Sequence, residues 1–369
     1  MSSVITPPTE ETTPEDGAPL VAAALASRHR VRSLLLFVGT ALAALVAAAP
    51  IIAIAGSNPL DAYRALFEGS LGSHRALAET LVATTPLLVA GLAVSVAFQG
   101  GLFNIGVEGQ LVIGGLVAGT IGAQATLPPV IHVVVAMAGG AAAAALWALV
   151  PALLKAYRGV HEVITTIMLN YVAFALSTYL VSPGGLLVSK TQPSATERVK
   201  DTAVLPRVWE PTRLHAGIFV AVGLVAVTWW FLFRTRAGYR LRMVGGNPTA
   251  ARFNGIDPRR VTLQTMCLSG ALAGLAGAIE VLGVHLRYFD SFSPGYGFDA
   301  IAVALLGAIT PVGVAASALF FGVLRAGSVL LQARAGVSRD MITVISGLVV
   351  AFVAARVVLE RRFDRKDQR

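Results

Sequence analysis

An all-helical bundle that crosses a membrane many times is the fold class this sequence predicts, and three observations predict it. Of 369 residues, 55% are hydrophobic and only 13% are charged, whereas a soluble domain keeps about a quarter of its residues charged. The mean hydropathy is +0.72. Glycine occurs 37 times and alanine is abundant, and small residues let membrane helices approach closely. The net charge of +9 fits basic residues gathered on cytoplasmic loops. No basic stripe carries the interleaved aromatics of a nucleic-acid surface. The single cysteine, Cys267, has no internal disulfide partner and reads as a small apolar group.

The elements follow in order. Residues 1–26 are rich in Pro, Thr and acidic side chains and read as disordered. Arg28, Arg30 and Arg32 then precede an apolar run at about 33–55, which places a cytoplasmic tail over 1–32 and an uncleaved first span after it. Further spans, each near the ~20 residues a bilayer requires, are predicted at about 78–98, 108–125, 129–151, 160–182, 214–233, 261–284, 313–332 and 341–358. A shorter apolar stretch at 299–310 reads as a crossing or a re-entrant half-helix, and counting it gives ten segments. The membrane domain is thus expected over 33–358, with a basic cytoplasmic tail at 359–369.

Charge bias sets the expected sidedness. Lys155 and Arg158 mark one inside loop, and Arg234, Arg236, Arg240, Arg242, Arg252, Arg259 and Arg260 mark another. Arg361, Arg362, Arg365 and Lys366 mark an inside C-terminus. Arg334 and Arg339 fall outside, against the bias, as does the mixed-charge, Pro-containing loop of 183–213.

Four polar islands interrupt the apolar pattern. The first, "GLFNIGVEGQ" at 101–110, puts Phe103, Asn104, Glu108 and Gln110 beside two spans. A polar group in hydrocarbon costs several kcal/mol unless it meets a partner or a watery cavity. Two readings fit: a broken helix lining a pathway, or an interfacial loop with Glu108 at a helix start. The second, "HEVITTIMLNY" at 161–171, sets Glu162 and Asn170 eight apart on one helix face, with Tyr171 beside Asn170. That is either a polar stripe along a path, or a surface cap plus an interhelical bond. It lacks the second histidine of a zinc-protease helix, since Thr165 stands there.

The third island lies in the inside loop of 234–260. Asn247 and Pro248 read as a helix start and Gly255 as its stop, giving a short helix at about 248–254 that presents Ala250, Ala251 and Phe253 amid arginines. Such an element suits docking into a partner's groove; the alternative is an ordinary basic loop. The fourth, "YFDSFSPGYGFDA" at 288–300, holds Asp290 and Asp299 around a Gly/Pro turn. Two aspartates sharing a proton would suit an intramembrane aspartyl protease. A surface turn with Asp299 capping the next helix is the alternative. The pairs Gly115/Gly119 and Gly270/Gly274 read as helix packing. No lysine follows a glycine, so no phosphate-binding loop is present, and uphill transport would draw its energy from another subunit.

Four stretches together, "GLFNIGVEGQ" (101–110), "EVITTIMLNY" (162–171), "GGNPTAARFNGI" (245–256) and "GYGFDAIAVALLG" (295–307), resemble the permease subunits of bacterial ABC importers. The group is that for branched-chain amino acids, ribose and nucleosides, and the chain is most similar to its nucleoside and simple-sugar permeases, from about residue 35 to 358. The resemblance implies a multi-pass permease of the bacterial cell membrane, without enzymatic or cofactor chemistry of its own, working by alternating access. Its implied partners are a cytoplasmic ATPase, a second permease subunit in a heterodimer, and an extracytoplasmic solute-binding lipoprotein that delivers a small solute. The solute would be a nucleoside, or else a simple sugar, riboflavin or another small metabolite. It further implies that Phe103, Asn104, Glu108, Gln110, Asn170, Tyr171 and Asp299 border the pathway, and that Gly246, Asn247, Pro248, Ala250, Ala251, Arg252 and Gly255 form the segment resting on the ATPase.

Overall fold

A computed structural model describes residues 38–54, 56–336, 341, 343–345, 347–353 and 355. The expected tails at 1–32 and 359–369, with their arginines, lie outside the described residues, as does Arg339. Thirteen helices are named here: α1 (Val38–Ile54), α2 (Pro59–Leu71), α3 (His74–Gln99), α4 (Val107–Gln124), α5 (Pro129–Arg158), α6 (Glu162–Val181), α7 (Gly217–Arg234), α8 (Arg236–Gly246), α9 (Pro248–Phe253), α10 (Pro258–Glu280), α11 (Tyr296–Leu306), α12 (Pro311–Ala335) and α13 (Thr343–Val353). Each of the ten expected segments contains a helix. Among the described residues six helices are long and apolar enough to cross a membrane, α3, α5, α6, α7, α10 with its terminal turn, and α12, and the bent pair α1–α2 makes a seventh if it is one span.

Local chemistry explains where helices begin. Proline stands in the first turn of α2, α5, α9, α10 and α12, where its missing N–H is not needed. Asn58, Ser73, Thr235, Asn247, Asp257 and Thr310 cap their helices through side-chain oxygens, satisfying donors that would otherwise be orphaned. Helix α2 was not foreseen from the hydropathy, because its mean is pulled down by Asp61, Arg64 and Glu68. It follows α1 at a bend of 119° and packs on α12.

The core is built on α3, α4 and α10. Helix α10 packs on α5, α4 and α3, and α12 packs on α3 and α2. Close approach depends on the small residues: a Cβ on Gly114 would strike the backbone of Gly274, and one on Gly270 would meet the Ala144 carbonyl. The packing role expected for Gly115 and Gly119 also holds, since they lie against Phe292 and Tyr288. Helix α4 is buried along nearly its whole length, so it is the centre of the bundle.

Helix α11 is only eleven residues long and reaches about 16 Å, half of what a bilayer requires. The other half is irregular chain. Descending from Leu286, residues 286–295 run along α4, with Tyr288 beside Gly119, Phe292 beside Gly115 and Gly297 beside Glu108. Irregular backbone at membrane depth is tolerated only where protein encloses it; here α4 lies on one side, and residues 194–199 hydrogen-bond the backbone of Leu286, Tyr288 and Asp290. The loop of 183–213 is irregular as expected, with one 3-10 turn at Asp201–Ala203. It is strapped down by Lys200, whose Nζ donates to Gln124 O (3.1 Å), Ala125 O (2.9 Å) and Thr126 Oγ1 (2.7 Å).

Candidate functional site

The first island forms a closed hydrogen-bonded knot. Asn104 Nδ2 donates to Gln110 Oε1 and to Ser269 Oγ, both at 2.9 Å. Its Oδ1 accepts from the Gly106 N–H at 3.0 Å and from Gln110 Nε2 at 3.2 Å. Asn170 reaches in from α6, accepting from the Gly109 N–H and donating to Ile105 O, both at 2.9 Å. Helix α4 has no side-chain cap of its own; the two asparagines satisfy its first turn from outside, which lets it start deep in the bundle. Asn104, Gln110 and Asn170 are all buried.

One turn along, Glu108 is 2% exposed, and its Oε2 accepts from the Gly297 N–H at 2.5 Å. It thus holds the N-terminus of α11, where a carboxylate is favoured by the helix dipole. A Cβ on Gly297 would collide with the Glu108 backbone, so glycine there is what permits the contact.

Beyond Glu108 lies a cavity of 840 Å³, within the ~300–1,000 Å³ typical of small-molecule sites. Its wall includes Ser73, Ala76, Glu79 and Val82 from the first turns of α3, with Arg213, Glu280, His285, Tyr296, Asp299 and Arg325. Arg325 is fixed three ways. It pairs with Asp299 Oδ2 at 2.6 Å, donates to Pro294 O at 3.1 Å, and lies over the Tyr296 ring at 4.5 Å. Arg213 holds Glu79 with two hydrogen bonds, at 3.0 and 2.5 Å; that carboxylate raises the guanidinium above its ordinary pKa. Tyr296 donates its hydroxyl to Glu280 Oε1 at 3.3 Å, and His285 Nε2 lies 3.3 Å from the same oxygen.

The opposite end of α3 meets the arginine-rich loop. Gly101, at φ +72°, brings its backbone against Gly245 of α8, where a Cβ would come within 2.9 Å of Gly245 Cα. Helix α8 buries Gly238, Leu241 and Val244 on one face, while Arg242 donates to Leu232 O at 3.1 Å and lies over Phe233. Helix α9 then starts as expected, Asn247 Oδ1 accepting from Thr249 N and Ala250 N, both at 3.0 Å, and Gly255 follows its end at φ +74°. Phe253 stands out at 88% exposure. Ala251, expected on the outer face, is instead buried: the chain returns through an Ile256 N–H bond to Ala251 O at 3.0 Å, closing over that side of the helix. Thr249, Arg252 and Phe253 are the exposed side chains near Ala251 on α9, and Ala250 is half-buried.

Of the seven residues expected along a pathway, Asp299 lines the cavity and Glu108 lies directly behind its wall. Asn104, Gln110 and Asn170 form the knot. Phe103 packs on Phe98 with ring centroids 4.8 Å apart, and Tyr171 is 65% exposed on the outer face of α6. Glu162, on the expected stripe with Asn170, pairs with Lys155 at 2.7 Å. Asp290 and Asp299 are separately engaged, Asp290 by the Thr178 hydroxyl at 2.8 Å and Asp299 by Arg325, so they do not form the proton-sharing pair a protease requires. Sequence reasoning passed over Glu280 and Arg325. Their signal was present: an ionisable residue inside an apolar span marks a functional site by default, and each sits within one.

A profile described as "Branched-chain amino acid transport system / permease component" matches residues 76–354. The chain is 37% identical over 318 residues to guanosine ABC transporter permease protein NupP of Bacillus subtilis, covering 84% of this chain and 90% of that one. It is 36% identical to glucose ABC transporter permease protein TsgB13 of Haloferax volcanii, over 89% of this chain and 90% of that one. Nucleoside ABC transporter permease protein NupB of Lactococcus lactis is 30% identical, over 83% and 86% respectively.

Proposed function

Because the chain belongs to the branched-chain amino acid transport system permease family, we propose that it carries a nucleoside across the membrane by alternating access, powered by a separate ATPase docked on α8 and α9. The observation that carries this reading is the polarity of α3. Its first turns line a polar cavity, and its last residue abuts the α8–α9 foot. A multi-pass membrane protein so arranged has a solute chamber at one end and a lever at the other. In this reading the cavity faces outward, the foot lies in the cytoplasm, and both termini are cytoplasmic, within the tails at 1–32 and 359–369. The nucleoside assignment draws on the guanosine and nucleoside permeases among the relatives.

The mechanism follows from which groups can move together. Closure of the ATPase would push Arg252, Phe253 and the rest of α9, and α8 would pass that force to Gly101 through the Gly245 contact. Gly101 leads into the knot, the knot holds the start of α4, and Glu108 holds the start of α11. Displacing α11 would unseat the floor of the cavity. Solute and nucleotide must favour different states for such a cycle to run, since equal affinity shifts nothing. The second permease subunit and the extracytoplasmic lipoprotein complete the assembly in this reading. A second reading, a simple sugar as cargo, draws on the glucose permease at 36% identity.

The test is uptake of labelled guanosine and labelled glucose by cells carrying or lacking the gene, with its neighbouring transporter subunits intact. Guanosine uptake that vanishes with the gene supports the first reading; loss of glucose uptake alone supports the second. Phe253→Asp should abolish uptake while the protein remains in the membrane and no longer co-purifies with the ATPase. Unchanged co-purification in that variant removes the docking assignment.

A further inference from the structure

We propose that Glu280 is the residue in the cavity wall that reads the solute, by accepting a hydrogen bond from one of its hydroxyl or N–H groups. The inference rests on the transport reading above and adds a residue and a chemistry to it. The cavity lining holds four acids, and three of them are matched. Glu68 pairs with Arg334, Glu79 with Arg213, and Asp299 with Arg325. Glu280 has no lysine or arginine at ion-pair distance among the described residues. It is 3% exposed, and its Oε2 is buried without a hydrogen-bond partner among the described residues. A carboxylate offers about four acceptor positions; this one has the Tyr296 hydroxyl and the His285 ring nitrogen near Oε1. Acceptor capacity is therefore left over, at the wall of a chamber sized for a small molecule.

The backbone places Glu280 there by an unusual device. Helix α10 ends in a π-helical turn, Val281–His285, closed by a bond from the Leu286 N–H to Val281 O at 2.8 Å. An α-helix would set residues five apart on different faces, but a wider π turn brings them nearly into line. That is how Glu280 and His285 come to lie 3.3 Å apart. Of the guanidiniums that line the cavity, Arg325 and Arg213 are engaged by Asp299 and Glu79, while Arg75 stands exposed with no ion pair among the described residues. With Arg334 on Glu68, the four acids face four guanidiniums, and a chamber of balanced charge suits a neutral solute rich in hydroxyl and N–H donors.

The test uses the complete transporter in proteoliposomes with saturating solute-loaded binding protein, so that the delivery protein's own affinity does not set the rate. Guanosine is compared with its 2′-deoxy, 3′-deoxy, 5′-deoxy and N1-methyl analogues, each lacking one donor, in wild type and in Glu280→Gln. Glu280→Gln should lower the guanosine rate about tenfold, the scale of one hydrogen bond to a charged group. One analogue should be carried equally by both proteins, because the donor Glu280 reads is already missing from it. Tyr296→Phe, which frees Oε1, should lower the guanosine rate less than Glu280→Gln does. Equal losses on every analogue, or no loss at all, overturn the proposal; recovery of the subunits as an assembled complex controls for folding. If wild type carries glucose and not guanosine, the nucleoside reading falls, and the same comparison decides Glu280 with glucose and its deoxy analogues.

Discussion

The knot around Asn104 and the cavity wall around Arg325 are both polar regions buried among apolar helices, and they are built on opposite principles. Asn104 spends its amide on Gln110, Ser269 and the Gly106 N–H, and Asn170 does the same for Gly109 and Ile105. Every partner belongs to the bundle. In the cavity wall the ion pairs Asp299–Arg325 and Glu79–Arg213 face open space, and Glu280 keeps an oxygen without a donor among the described residues. A polar side chain at membrane depth must have a partner. Whether that partner is the protein or a passing solute divides architecture from transport.

Substitutions should separate the two regions, and the knot should respond most strongly in stability. Asn104→Ala removes the partner of several buried groups, each costing about 1–3 kcal/mol when left unpaired. It should sharply lower the thermal midpoint of the detergent-solubilised protein, followed by fluorescence-detected size-exclusion chromatography, and deplete it from the membrane. Normal abundance with lost uptake would move Asn104 to the transport side of the comparison.

Asp299→Asn should behave in the reverse way. It leaves Arg325 without its counter-charge in a partly open wall, where water can compensate. The expected result is near-normal membrane abundance with uptake reduced about tenfold or more. The double variant Asp299→Asn with Arg325→Gln should recover abundance fully but not uptake. Recovery of uptake in the double variant would reduce the pair to a structural bridge.

Tyr171→Ala carries the smallest expected effect. With Tyr171 on the exposed face of α6, stability should change by less than ~0.5 kcal/mol and uptake should stay at the wild-type level. A clear loss of uptake would mean that this face meets something other than lipid, such as the second permease subunit.

Much of this was legible in the chain itself. Each expected span contains a helix, because hydropathy and length act locally and a bilayer enforces both. Asn247-Pro248 and Gly255 announced α9, because capping chemistry is a matter of neighbouring residues. Tyr171 and Asn170 adjoin in sequence and looked equally polar, yet one faces outward and the other holds Gly109. A single residue step around a helix turns a side chain by about 100°, and nothing local says which side the bundle occupies. Ala251 was misplaced for the same reason, its burial depending on how Ile256 folds back.

The sequence by itself determined that this protein is a membrane-spanning bundle with a basic loop between two of its spans, since composition, periodicity and motif order carry that information along the chain. Only the tertiary structure decided which polar residues close the bundle and which open onto a chamber. Glu280 and Arg325 lie 45 positions apart and become neighbours of one cavity through the π turn of α10, the short helix α11 and the packing of α12. The cost of burying a polar group is set by what surrounds it in space, and that is a property of the packed bundle.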